Sequence, residues 1–282
     1  MVMVDSVSTR STLGVCTDSN TQLPPELVAR YRLAIVPATV RIGECEYLDG
    51  VDLDADELYR RFEGGRTPSV TITHPSPGQF ALGYDELVEA GCTQILSVHA
   101  AASVCGAIND ARLAARNAQV TVRLVDSGTS GFGVGCCVWA AAEAIAAGSE
   151  LDAAAAIAET LAGFVGNVHI IDGLGVGSAT GMVEVLTQCQ GEKLGVVEVV
   201  DRVPTVADAV NSMSSFAVAV GDGLRVAIGV GDRGAFAVAD ALASAIGEAG
   251  NVIEVVRYRI GPTSGFSTIR PGTVACWVLP AL

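Results

Sequence analysis

The sequence predicts an α/β fold divided into two domains, and three observations carry that expectation. A chain of 282 residues is long for one core, since domains run at roughly 100 to 200 residues. Its first half alternates short β-branched runs with Ala-rich helical segments, the pattern of a parallel sheet with crossover helices. Its second half carries four further strand-like runs with helices between them, a second α/β layer.

In chain order, Leu13–Cys16 is an opening strand, Pro24–Tyr31 a helix, Ala34–Val40 a strand and Asp54–Phe62 a helix. Pro68–Pro77 is expected to be a loop, with Ser69, Thr71, Thr73 and Ser76 ahead of a helix over Ser76–Glu89. The strand Gln94–Val98, a helix over Cys105–Arg116 and the strand Thr121–Val125 follow. Helices over Gly131–Ala147 and Leu151–Phe164 lead to a strand at Asn167–Ile171, which places a boundary near Gly166 and gives domains 1–165 and 166–282. Beyond it, strands fall near Leu194–Val200, Arg225–Val230, Val252–Tyr258 and Val274–Leu279, with helices near Val206–Ser215 and Phe236–Glu248.

Composition narrows the function. A formal charge of -14 with no Lys/Arg block disfavours nucleic acid and anionic membrane surfaces. Met1 to Gly14 lacks the apolar core of a signal peptide, so a cytoplasmic protein is expected. The most apolar stretch, Ser127 to Ala142, meets Glu143 before reaching spanning length, so no membrane span is expected. Eight scattered cysteines without a C-x-x-C pair and three distant histidines give no metal signature. The Gly-rich runs Gly128–Gly135, Gly173–Gly181 and Gly221–Gly234 match neither the Walker nor the Rossmann phosphate pattern, so no cofactor is expected and close packing explains them.

Ligands of open α/β sheets lie at the carboxyl ends of strands, and here those ends are rich in hydroxyls. Thr17-Asp18-Ser19, His99 to Gly106 and Asp126-Ser127-Gly128-Thr129-Ser130 each follow a strand.

These loops resemble those of the DegV family of bacterial fatty-acid-binding proteins. The resemblance rests on Val15-Cys16-Thr17-Asp18-Ser19, Leu23-Pro24, Ile35-Val36-Pro37 and Tyr47-Leu48-Asp49-Gly50-Val51-Asp52. Ile72-Thr73-His74-Pro75-Ser76-Pro77 is similar to the family's Thr-Ser-Gln-Pro-Ser-Pro, and Val104-Cys105-Gly106-Ala107 to its Leu-Ser-Gly-Thr. Asp126-Ser127 is similar to the family's Asp-Ser pair. The C-terminal half agrees less: Gly175 to Gly181 lacks the family's arginine, and Thr268 stands at the family's histidine.

The resemblance implies a two-domain DegV-like architecture, an N-terminal Rossmann-like parallel-sheet domain followed by an α/β domain with a mixed sheet. It further implies a long-chain fatty acid bound without catalysis between the domains and presented to a separate fatty acid kinase. The head site it points to comprises Thr71, Ile72 (at the family's threonine), Thr73, Ser103, Cys105 (at the family's serine) and Gly106, with Ser19 and Ser127 nearby. Arg202, Thr268 and Arg270 are the candidates from the second domain.

Physical chemistry accommodates this reading. Each buried methylene contributes roughly 0.8 kcal/mol, so a sixteen-carbon tail offers on the order of 10 kcal/mol before association costs, and one lost head-group donor is tolerable. The amides of Cys105–Gly106 open a helix, where orphan N–H groups favour an anion. Competing readings remain: the hydroxyls as plain helix caps, the arginines as exposed ion pairs, or another amphiphilic carboxylate as ligand. An acyl hydrolase or transferase built on Cys105, with His74 or His99 as base, is the enzymatic alternative.

Overall fold

A computed structural model describes residues 12–66, 68–171, 181–190, 193–264 and 270–280. Its first sheet has four parallel strands: β1 (Leu13–Asp18), β2 (Ala34–Val36), β6 (Gln94–His99) and β7 (Thr121–Asp126), in the order β2-β1-β6-β7. Both faces of β1 and β6 are buried, which is why each carries adjacent apolar residues, Val15-Cys16 and Ile95-Leu96, where a half-exposed strand would alternate. Cys16 and Ile95 pack under Phe80, Tyr84 and Leu87 of α3 (Pro77–Glu89) and the alanines of α4 (Ala107–Ala115). Val15, Leu96 and Val98 face the other way, toward α5 (Phe132–Ala146) and α6 (Leu151–Thr160).

In the first half, two segments depart from the sequence expectation. The run expected as one strand over Ala34–Val40 is split, because Pro37 lacks an N–H for a ladder and the chain turns there into a second sheet. That sheet is antiparallel, ordered β4-β3-β5, from β3 (Thr39–Ile42), β4 (Cys45–Leu48) and β5 (Val70–Thr73), so the expected loop Pro68–Pro77 holds a strand. Its apolar face packs on α2 (Ala55–Arg60) through Val40, Ile42 and Leu58. Of the remaining first-half helices, α1 (Pro25–Tyr31) covers the sheet beside β2.

The second half forms a six-stranded mixed sheet in the order β10-β9-β8-β13-β11-β12. Its strands are β8 (Gly166–Ile170), β9 (Val183–Gln188), β10 (Val197–Val203), β11 (Leu224–Val230), β12 (Val252–Arg259) and β13 (Val274–Pro280). Only β11 and β12 pair in parallel; β9 was not expected, because its run Val183–Gln188 alternates weakly and is interrupted by Glu184 and Thr187. A bulge at Val200 interrupts the pairing of the outermost strand β10 with β9.

Strand alternation divides this sheet cleanly. Val274, Cys276 and Val278 enter a core with α7 (Val206–Val218) and α8 (Phe236–Glu248), whereas Ala275, Trp277 and Leu279 face α5 of the first half. Helix α5 is therefore buried on almost every side. Its glycines permit this: a Cβ on Gly135 would lie 2.6 Å from the Thr21 carbonyl oxygen, and one on Gly133 would lie 3.2 Å from the Trp277 ring. Among the described residues no helix is long and apolar enough to cross a membrane, and no His/Cys/Asp/Glu group is arranged to hold a metal.

Candidate functional site

The carboxyl ends of β1, β6 and β7 are tied together by their own polar groups. Asp18 accepts from the Asn20 amide (3.0 Å), and its other oxygen meets His99 Nδ1 at 2.8 Å. His99 Nε2 lies 2.8 Å from Ser97 Oγ, which meets the Tyr84 hydroxyl at 3.0 Å, and all four side chains are buried. Asp126 accepts from the amides of Ala102 (3.1 Å) and Gly128 (3.0 Å), locking the β6 loop to the β7 loop. Ser127 accepts from the Thr129 amide at 3.3 Å in a local turn and is buried. These groups hold loops in place.

The small sheet meets this loop cluster through His74. Thr71 and Thr73 project from the exposed face of β5, while Ile72 is half-buried. The next residue, His74, lays its ring over the start of α4: a Cβ on Gly106 would stand 2.7 Å from His74 Nε2, so a larger residue there would have to displace the ring. His74 Nδ1 lies 3.2 Å from Asp110 Oδ2. His74 and Gly106 thus meet at one helix start, with Thr73 preceding His74 in the chain. No side chain caps that start, and Ser103 beside it is exposed, so the plain capping role does not apply there. Ser76, in contrast, forms a full capping box with Gln79 at the start of α3.

Cys105 is half-buried. Its thiol is pushed up by burial, and by the nearby Asp18 and Asp110 carboxylates, with only the Ala107 backbone pulling it back. A nucleophilic thiolate needs the opposite environment.

An apolar groove of about 570 Å³ runs along the seam between the two halves. Leu23, Pro24, Val28 and Ile35 line it from one side and Pro262 from the other, with Ser19 and Asp49 in its wall. Of the candidate residues, Ser19 is the one in this lining; its Oγ accepts from the Ala38 amide at 3.1 Å. Asp49 is raised by burial, against which hydrogen bonds from Ser19 and Thr263 act. Thr263 donates to Asp49 Oδ2 at 2.9 Å, and Asn20 donates to the Thr263 carbonyl at 2.8 Å, so the seam is stitched beside the groove.

Arg202 stands exposed on β10 and pairs with Glu184 at 2.8 Å, away from the hydroxyl-rich loops in bonding terms. Arg270 is exposed, and its carbonyl accepts from Thr273 Oγ1 at 2.8 Å. Thr268 and the Gly-rich residues 172–180 lie outside the described residues.

Sequence reading missed the aromatic seam. Phe132 stacks on Tyr258 with ring centroids 4.1 Å apart, and Trp277 donates to the Tyr258 hydroxyl at 3.0 Å. Gly229 makes room for the Tyr258 ring, since a Cβ there would fall 2.3 Å from it. A glycine inside the strand expected at Arg225–Val230 was the available signal of such close approach.

Comparison with known proteins places these features in a lineage. A DegV domain-containing protein of Streptomyces coelicolor is 30% identical, the match covering 76% of this chain and 79% of its own. A DegV family protein from Thermus thermophilus, described for its fatty acid binding, superposes with a TM-score of 0.77 at 25% identity, over 95% of this chain and 99% of that one. The stearic-acid-binding protein of Eubacterium ventriosum shares the fold, with a TM-score of 0.75 at 18% identity, over 95% of this chain and 98% of its own. The model of the uncharacterised proteins of the DegV family matches residues 12–164, more than half of the sequence, and the chain belongs to that family.

Proposed function

We propose that this protein binds a long-chain fatty acid without transforming it. The observation that carries the reading is the apolar groove of about 570 Å³ at the seam, in a chain that shares its whole architecture with the fatty-acid-binding Thermus thermophilus protein. Apolar burial supplies most of the affinity for such a ligand, and the groove falls within the range of roughly 300–1,000 Å³ usual for ligand sites. We take the division into domains to lie before Gly166, where the six-stranded sheet begins, so that the acyl chain runs between domains 1–165 and 166–282.

We further assign the carboxylate to the start of α4, beyond the groove's own lining, with Thr71, Thr73, Ser103 and the Cys105–Gly106 amides as its candidate donors. The absence of a side-chain cap on that helix supports the assignment. Presentation to a separate fatty acid kinase is the downstream step of this reading, and eight free cysteines fit a reducing cytoplasm. The raised Cys105 thiol disfavours the hydrolase alternative.

Native mass spectrometry of the purified protein, followed by organic extraction, tests the function. One fatty acid per chain is the expected result. A protein that is empty and also refuses added fatty acids would overturn the carrier reading. Thr73→Val combined with Cys105→Val tests the head site, and unaltered affinity in a folded double variant would reject it.

A further inference from the structure

Among the buried polar atoms without a hydrogen-bond partner, His169 Nε2 and Gln22 Oε1 stand out because their side chains line the same small cavity at the seam. The cavity measures about 20 Å³, room for a single oxygen atom. Gln22 donates through Nε2 to the Gly261 carbonyl at 3.4 Å, which fixes the amide and leaves its oxygen as the unmet atom. Other polar groups around the cavity have partners: Asn167 exchanges bonds of 2.7 and 2.8 Å with the Gln188 backbone, and the Tyr258 hydroxyl accepts from Trp277.

His169 is 4% exposed, and burial pushes its pKa down to about 4, so the ring is neutral at pH 7. Gln22 Oε1 can only accept, and a neutral imidazole nitrogen carries either a proton or a lone pair. With the proton on Nε2, one group meets both demands: an oxygen that accepts from His169 and donates to Gln22. A hydroxyl does this. A carbonyl oxygen would leave Gln22 unmet, and a methylene would leave both unmet. Gln22 also walls the apolar groove, and the consecutive residues Ile260 and Gly261 line the cavity and the groove respectively.

We propose that this cavity is an oxygen subsite opening from the groove, and that the preferred ligand is a hydroxylated fatty acid whose chain hydroxyl sits between His169 and Gln22. The inference rests on the carrier reading above and adds the class of lipid. An ordered water has the same donor and acceptor capacity and is the rival occupant.

The test is a competition in which the protein is equilibrated with equimolar palmitic acid and a set of hydroxypalmitic acids substituted at successive chain positions, and the bound lipids are identified by mass spectrometry. One isomer, or a run of neighbouring isomers, should be enriched about tenfold over palmitic acid, the ratio that one net hydrogen bond supplies. His169→Leu and, separately, Gln22→Leu should abolish the enrichment while palmitic acid still binds. Palmitic acid bound as well as every isomer would mean that the cavity holds only water, and would sink the subsite while leaving the carrier reading intact. Enrichment that survives both substitutions would also sink it. Failure to bind any of these acids would remove the carrier reading and the subsite together.

Discussion

Two histidines show how burial sets the role of one residue type. His99 is enclosed with Asp18, Ser97 and Tyr84, every polar atom of its ring engaged. His99→Ala strands the buried Asp18 carboxylate and should lower stability by about 3 kcal/mol or more, read as a fall in the urea midpoint at unchanged slope. His169 has no such partner, and burial alone holds it at about 4 against an ordinary 6.5. The unfolded chain therefore takes up the proton near pH 6.5 and the folded chain only near pH 4. Stability from this residue is complete above the higher value and is lost as pH falls through the window, by about 3 kcal/mol in all. The stability of the wild-type protein relative to His169→Leu should shrink by that amount between pH 7 and pH 4, as followed by urea unfolding; parallel curves would contradict the assignment.

Elements were legible where a local signal coincided with the tertiary demand. Ser76 precedes a Pro at the first helical position and a Gln three residues on, and α3 begins there with both capping-box bonds formed. Ser76→Ala should cost about 1 kcal/mol, a fall in Tm of roughly 2–4 °C for a chain of this size. The four-stranded parallel sheet and nearly every helix were readable for the same reason. The small sheet was not, because β4 and β5 are short, partly exposed strands whose partner β3 gives the only reason for them to extend. The candidate site divides likewise. The hydroxyl loops could be found from strand ends, whereas His74 over Gly106 and the shared cavity of Gln22 and His169 join residues far apart in sequence, which no spacing rule reaches. Glycine roles separate by neighbour. Gly135→Ala should cost about 2 kcal/mol, since the new methyl meets a backbone oxygen, while Gly163→Ala, with nothing within 4 Å, should be near neutral; chemical denaturation distinguishes the two.

At the scale of the whole molecule, the halves are joined by two unlike seams. One is the largely apolar aromatic and aliphatic packing of α5 against the second sheet. The other is polar and solvent-facing: Asp56 reaches Arg233 at 2.7 Å and Arg259 at 2.8 Å, and Arg233 beside it, then Arg259, holds the Asp56 carboxyl below its ordinary range. Exposed pairs of this kind add at most about 1 kcal/mol to stability. Asp56→Ala should therefore leave the urea midpoint almost unmoved yet, on the proposed carrier function, release fatty acid several-fold faster in a stopped-flow exchange experiment, because dissociation rates register interface changes most directly. An unchanged release rate would show that the polar seam takes no part in retaining ligand. The bulge at Val200 has a consequence of another sort. Val196, Val197, Val199 and Val200 are all exposed on or beside the outermost strand β10, a β-branched border of the kind that recruits strands from neighbouring molecules. The extra residue breaks that border into two short runs, and with Glu198, Asp201 and Arg202 interspersed it offers an incoming chain no unbroken ladder to extend. A bulge of this kind works against edge-to-edge association of neighbouring molecules along β10.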